Sequence, residues 1–532
     1  MKRCPECGRE YDSTMSFCLD DGAELLYGPA SAGESATVIL SEPGAPAIQF
    51  PSEEGPTAVI RTSSASNVNT PNSIAVLPFV NMSADADNEY FCDGLAEELL
   101  NALTKIDDLK VAARTASFSF RGKNESMAEI GRALNVNSIL EGSVRKAGNR
   151  VRITVQLINA ADGYHIWSER YDRDMQHIFE IQDEITLSVV DSLKLTLLGN
   201  EKQAVLKRHT ENSEAYQNYL RGRFFFFKRT PEGFTRAVEY FQKAIDLDPR
   251  YALAYSGLAD SHVFFGFYEM VTPADAEKHA RPNALRSVEL DPSLGETNIS
   301  LALLRSLFDW EFRASLECYE RAIVADPNYA FSFHLQSAIL VVLGDFEASF
   351  EAEKHAIELD PFTPVFNASL GWWYYLARQN EEAMAQCKRT LEIAPNHFFA
   401  YWVQGLAYAV QESYVDSVVS LQKALALNQF DQHIRADLGR VFGLMGEREA
   451  ATSILKELDD LSKQQYISPV NLAKVYVGIG EKENGMSQLE RAVEERSIKL
   501  PYLLLDPAVD SLRDDPRFAS VRRRAGLPDI TP

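Results

Sequence analysis

Small residues, aromatics and prolines recur every 34 positions through the C-terminal half of this chain. Gly371, Gly405, Gly439 and Ala473 keep that step. Tyr374, Tyr408, Phe442 and Tyr476 repeat it three residues further on, and Pro327, Pro361 and Pro395 repeat it again. A unit this short cannot bury a core alone. It must stack on its neighbours, so the period demands a solenoid, and solenoids present extended surfaces to other molecules.

A small residue, an aromatic three later and a closing proline resemble the tetratricopeptide (TPR) pattern. The resemblance implies an all-α solenoid of helix pairs. Ala237, Phe241, Ala244 and Pro249 fit the second helix of a first unit, and Pro292 closes a second unit lengthened near Pro273. Gln429, Lys463 and Ser497 take the proline position in three degenerate units. The reading is about eight repeats over 213–497 and an end cap over 498–532, with Arg522, Arg523 and Arg524 as its polar outer face. In the TPR family first helices line the concave groove. The resemblance places Trp372, Tyr375, Phe399 and Trp402 there, followed by His433, Arg440 and Lys474. The Lys, Asn and Arg set with which some TPR domains grip a C-terminal carboxylate is missing. The expectation is an aromatic groove for an extended or helical apolar peptide. The alternative is that these aromatics pack between helices.

Charge narrows the partners. The chain carries 53 Lys and Arg against 76 Asp and Glu, a net −23. Residues 1–72 hold 4 basic and 10 acidic residues, residues 73–200 hold 13 and 19, and the remainder holds 36 and 47. Every region is therefore acidic, and no nucleic-acid partner is expected. The longest apolar run, Ala338 to Leu343, lies inside a repeat and falls far short of the roughly 20 residues that span a membrane. Met1-Lys2-Arg3-Cys4-Pro5 has no apolar run behind it, so no signal peptide is expected. Three of six cysteines crowd the first 18 residues, a metal-site usage in a reducing compartment. These features predict a cytoplasmic protein.

Residues 73–200 read as α/β. Ile74 to Phe79 and Leu109 to Ala112 are short strands, Phe91 to Ile106 and Met127 to Leu134 are helices, and Val136 to Arg145 and Arg150 to Asn159 alternate around Ala147-Gly148-Asn149 as a hairpin. Tyr164 to Tyr171 is a further strand and Ile178 to Leu198 a closing helix. Five stretches, Ile74 to Phe79, Glu89 to Gly94, Ala113 to Phe118, Leu140 to Arg145 and Trp167 to Arg173, resemble the TolB-like amino-terminal domain of bacterial multidomain proteins. In relatives that domain accompanies adenylate cyclase or winged-helix DNA-binding domains, and the resemblance implies a non-enzymatic module. The polar, Lys-rich connector from Gly199 to Asn212 predicts that this domain and the repeats fold separately. Cys92 and His165 read as structural residues, and Glu169 to Asp174 as a solvated strand end with local ion pairing.

Residues 1–27 form a small module in which Cys4-Pro5-Glu6-Cys7-Gly8 is followed by Phe17-Cys18-Leu19-Asp20-Asp21-Gly22. It resembles a zinc ribbon whose fourth cysteine is replaced by Asp21. The candidate metal site is Cys4, Cys7, Cys18 and Asp21 holding zinc, since carboxylates also ligate zinc and a segment this short needs a staple. The alternative is a decayed ribbon without metal. Residues 28–72, rich in Ser, Pro, Ala, Gly and Thr, read as a flexible linker. There is no GxxxxGK[ST], HExxH, GxSxG or post-strand GxGxxG signature. The expectation is a multidomain, non-enzymatic protein-interaction scaffold or regulatory adaptor. One alternative is a nucleic-acid-linked regulator using the ribbon-like head, and another is an enzyme with an unrecognised site in 73–200.

Overall fold

The computed structural model describes residues 2–3, 10–11, 72–197 and 199–528, in two units split between residues 68 and 69. In the first unit, strands β1 (Lys2–Arg3) and β2 (Glu10–Tyr11) pair antiparallel, with Lys2 opposite Tyr11. Cys4, Cys7, Cys18 and Asp21 lie outside the described residues.

The second unit opens with a mixed sheet. Strands β3 (Ser73–Val76), β4 (Val80–Asn81), β5 (Lys110–Val111), β6 (Ser138–Ala147), β7 (Arg150–Asn159) and β8 (His165–Asp174) assemble in the order β5-β3-β6-β7-β8, with β4 beside β6. The pairs β3–β5, β3–β6 and β4–β6 are parallel, whereas β6–β7 and β7–β8 are antiparallel. Gly148, at φ +59°, makes the tight β6–β7 turn that a side chain would strain. Alternation along β7 sends Val151, Ile153, Val155 and Leu157 into the core and leaves Arg150 and Arg152 in solvent. Helix α1 (Glu89–Leu103) covers that core, joined by α2 (Arg114–Phe118), α3 (Met127–Leu134) and α4 (Ile178–Ser192). The last of these stops six residues before the expected end, because Lys194 turns left-handed at φ +57°.

After α5 (Gly199–Val205) the described residues form eight helix pairs. They are α6 (Ser213–Phe226) with α7 (Pro231–Leu247), α8 (Ala252–Phe267) with α9 (Pro273–Leu290), α10 (Gly295–Leu304) with α11 (Phe312–Ala325), and α12 (Ala330–Val342) with α13 (Phe346–Leu359). Then come α14 (Pro364–Leu376) with α15 (Asn380–Ile393), α16 (Phe398–Val410) with α17 (Tyr414–Leu427), α18 (Gln432–Leu444) with α19 (Arg448–Ser462), and α20 (Pro469–Gly478) with α21 (Lys482–Glu494). Short helices α22 (Leu500–Leu503) and α23 (Pro516–Arg524) are the last α-helices among the described residues. The recurring prolines sit just past second helices. Asp248, Asp291, Asp326 and Asp360 precede them with ψ between 80° and 93°, the extended geometry a following proline imposes. Asn428, followed by Gln429, keeps ψ 77°, so the bend survives without proline.

The expectation that the sheet region and the repeats fold separately meets a different packing. One buried cluster runs from Ile74, Leu95 and Ile153 through Tyr216 and Leu220 to Phe241 and Leu258. Helix α1 lies so close on α6 that a Cβ at Gly94 would stand 2.7 Å from the Leu220 side chain. Glu97 pairs with Arg223, Lys105 with Asp326 and Lys207 with Asp291. Composition of the connector misled because the joining surface lies mainly on α1 and α6, and the connector packs onto both sides, with Val205 in the shared core and Lys207 paired to Asp291.

Candidate functional site

The first helices of the middle and late pairs bring the predicted groove residues together. Trp372 on α14 lies 5.2 Å from Trp402 and 5.9 Å from Phe399, ring centre to ring centre, with both partners on α16. Trp402 Nε1 donates to Asp437 at 2.8 Å, and Lys474 Nζ reaches the same carboxylate oxygen at 2.8 Å. Arg440 Nε is 3.6 Å from the other oxygen, an ion pair too long for a hydrogen bond. Burial alone would raise the Asp437 carboxyl, but Lys474, Arg440 and their hydrogen-bonding neighbours hold it below the usual carboxylate range.

The chain's own C-terminal segment covers much of this wall. Tyr502 on α22 stacks 5.2 Å from Trp372 and 6.0 Å from Trp373. Tyr375 Oη donates to Asp506 at 2.6 Å, and Arg378 pairs with Asp510 at 2.8 Å. Tyr375, Arg440 and Lys474 are buried, while Trp372, Phe399 and Trp402 keep partial exposure. In this conformation the first three cannot touch an outside partner; their contacts are with the array and its own tail. The array also curls back on itself. Glu269, after α8, sits 2.8 Å from both His433 on α18 and Asn471 on α20. Burial opposes its charge, yet His433, Lys499 and Asn471 bring its pKa down to about 2. Arg522, expected on a polar outer face, is buried and donates to the Leu504 and Pro528 carbonyls, whereas Arg523 and Arg524 are exposed. The tail's own backbone needed a donor, which position in the sequence does not reveal.

A second polar cluster has no periodic signal and escapes sequence reading. Tyr219, Arg223, Arg229, Asp260, Glu296 and Tyr329 line a cavity of about 40 Å³ between α6, α8 and α10. Arg229 lies over the Phe226 and Phe264 rings at 4.9 and 4.5 Å. Burial pushes Asp260 up to about 7, although Ser300 donates to it, and burial beside Glu97 pushes Glu98 up to about 8. Glu97 goes the other way, since Arg223 and Arg114 outweigh its burial.

Other candidates resolve simply. Cys92 is fully buried and its thiol is pushed up to about 12 by burial, so it packs and does not attack. Cys318 and Cys387 are fully buried in second helices. His165 is exposed on β8. Among the described residues no group of three His, Cys, Asp or Glu could hold a metal ion, and no helix is long and apolar enough to cross a membrane.

Known proteins resemble this chain in parts. A family described as the second domain of HilA/YgeH-like transcriptional regulators matches residues 70–188, the sheet region. "Putative adenylate cyclase 3" of Rhizobium meliloti (strain 1021) is 36% identical over 236 residues, which is 44% of this chain and 40% of that protein. Anaphase-promoting complex subunit 3 of Schizosaccharomyces pombe is 24% identical over 254 residues, 47% of this chain and 36% of its own length. Human tetratricopeptide repeat protein 6 is 20% identical over 201 residues, 38% of this chain and 37% of its own. The C-terminal region is a tetratricopeptide-type solenoid. Among solved structures, the solenoid is similar to TTC0263, a thermophilic TPR protein of Thermus thermophilus, at 18% identity and a TM-score of 0.32 over 37% of this chain and 99% of that one. A human IFIT1 dimer with m7Gppp-AAAA aligns at 14% identity and a TM-score of 0.43, over 65% of this chain and 76% of that one. The chain spans about two-fifths or less of the length of these curated relatives.

Proposed function

We propose that this chain is a non-enzymatic interaction scaffold or regulatory adaptor, and that its solenoid wall takes a protein segment. The observation that supports this is Tyr502 seated on Trp372 and Trp373, with Asp506 four residues later accepting from Tyr375. The wall already holds a short segment with an aromatic residue and then a carboxylate. A partner segment of the same chemistry would compete for it, entering beside the partly exposed Trp372, Phe399 and Trp402. A labelled peptide of residues 499–513 tests this on the full chain. Specific binding that strengthens in Tyr502→Ala, whose own tail grips less, supports the reading. No binding to either protein would contradict it.

A second reading, a transcriptional or signalling regulator, has the matching family's description in its favour. The acidic balance of every region counters direct nucleic-acid contact. Zinc held by Cys4, Cys7, Cys18 and Asp21 belongs to the same proposal, as the fold staple of the first 27 residues. Elemental analysis of the purified chain should find close to one zinc per molecule, and below about 0.2 the site does not exist. A cytoplasmic place is part of the proposal as well.

A further inference from the structure

Strand β8 forms one edge of the sheet, and no described residue pairs with its outer side. Ten residues of open edge invite another strand. Met175 N–H, just past β8, donates to the Asn149 carbonyl at 2.7 Å, one step beyond the Arg150–Asp174 pair. Bonded and free residues alternate in an antiparallel ladder. Glu169, Tyr171 and Arg173 therefore turn their backbone groups toward β7, while Ser168, Arg170, Asp172 and Asp174 turn theirs outward.

The side chains on this edge spell a charge palindrome: Glu169, Arg170, Tyr171, Asp172, Arg173. Read antiparallel against itself about Tyr171, Arg170 faces Asp172 of the copy and Glu169 faces Arg173 of the copy, each pair occurring twice. The outward groups of residues 170 and 172 then meet as bonded pairs, which is the parity the ladder requires. Registers centred one residue either way set Arg170 or Asp172 opposite its own copy, and like charges directly opposed are unfavourable. Within the chain Asp172 is held by Arg150 and Arg152. Among the described residues, Glu169 accepts only the Tyr171 hydroxyl at 3.1 Å, and neither Arg170 nor Arg173 has a carboxylate partner.

We propose that β8 is a self-recognition edge, pairing with β8 of a second copy about Tyr171 to join two sheets into one. The partner is a second copy because the palindrome is complementary to itself. This is independent of what the solenoid wall binds.

Sedimentation velocity of the full chain over a concentration series tests the pairing. The wild type should show a monomer–dimer equilibrium by about 100 μM. Glu169→Arg and Arg173→Glu each turn two attractive pairs into repulsive ones and should weaken the dimer by about tenfold or more. The double swap Glu169→Arg/Arg173→Glu restores opposite charges and should recover it. Arg170→Pro removes an outward N–H that β7 does not use and should abolish the dimer. A chain monomeric throughout would overturn the proposal. So would association that ignores the single reversals, or a double swap that stays as weak as the singles.

Discussion

The junction between sheet and solenoid and the inner wall of the solenoid both bury charge, and they handle it in opposite ways. At the junction Glu98 is pushed up to about 8, and in the neighbouring cavity between α6, α8 and α10 Asp260 is pushed up to about 7, because burial outweighs the cations near them. On the wall Glu269 is brought down to about 2 and Asp437 is held low, because His433 and Lys499 meet the first carboxylate and Lys474 and Arg440 the second. Glu97 at the junction is the exception, gripped by Arg114 and Arg223. Burying an acid is tolerated either by protonating it or by surrounding it with cations, and one chain uses both.

The largest expected effect is on the wall. Asp437→Ala removes the shared partner of Trp402, Lys474 and Arg440 and leaves two buried cations uncompensated. The expected cost is about 3–5 kcal/mol, read by denaturant unfolding. A cost below about 1 kcal/mol would mean the wall cations are solvated and would erase the contrast with the junction.

Trp372→Ala should come next. The ring packs against Trp373, Phe399, Trp402 and Tyr502, so losing it should cost about 3 kcal/mol or more of stability. If Trp372 instead serves mainly as an outside contact, melting temperature stays put while peptide capture falls. Four of the five tryptophans lie in the solenoid and one, Trp167, in the sheet, so fluorescence reports chiefly on the wall.

At the junction, Gly94→Ala inserts a methyl against Leu220 and should cost about 1–3 kcal/mol by overpacking. A neutral result would mean α1 and α6 are looser than this core implies.

The smallest effect is the sharpest test of the contrast. Glu98 and Asp260 have folded pKa values above their ordinary 4.5 and 3.8, so they favour folding at low pH and lose that contribution as pH rises through about 7 to 8. Glu269 is depressed to about 2 from 4.5, so its contribution is present above about 4.5 and fades as pH falls toward 2. Hydrogen exchange should loosen α1 and α8 first on the alkaline side, and α18 and α20 first on the acid side. The same element loosening first at both ends would break the comparison.

The solenoid was legible because its signal is periodic: Gly371, Gly405 and Gly439 mark first helices wherever the chain must approach a second helix closely. Strand alternation exposed the β6–β7 hairpin equally well. Three things were not legible. The α1–α6 junction depends on Gly94, one small residue in a helix whose apolar spacing already pointed to the sheet. The tail's seat on Trp372 joins residues 130 apart, and no local pattern encodes such a distance. The cavity cluster of Arg223, Arg229 and Asp260 mixes charges on apolar faces, where periodicity predicts only core.

One core shared by sheet and solenoid is the claim on which the rest depends, and an isolated 73–200 fragment beside the full chain tests it most directly. The full chain should unfold the sheet and α6 to α8 in a single calorimetric transition, and the fragment should aggregate or give poorly dispersed NMR signals, because the Gly94 face of α1 and Phe179 of α4, which pack on Leu220 and Tyr216 of α6, are left uncovered. A well-dispersed spectrum from the fragment, with two separate transitions in the full chain, would contradict the account.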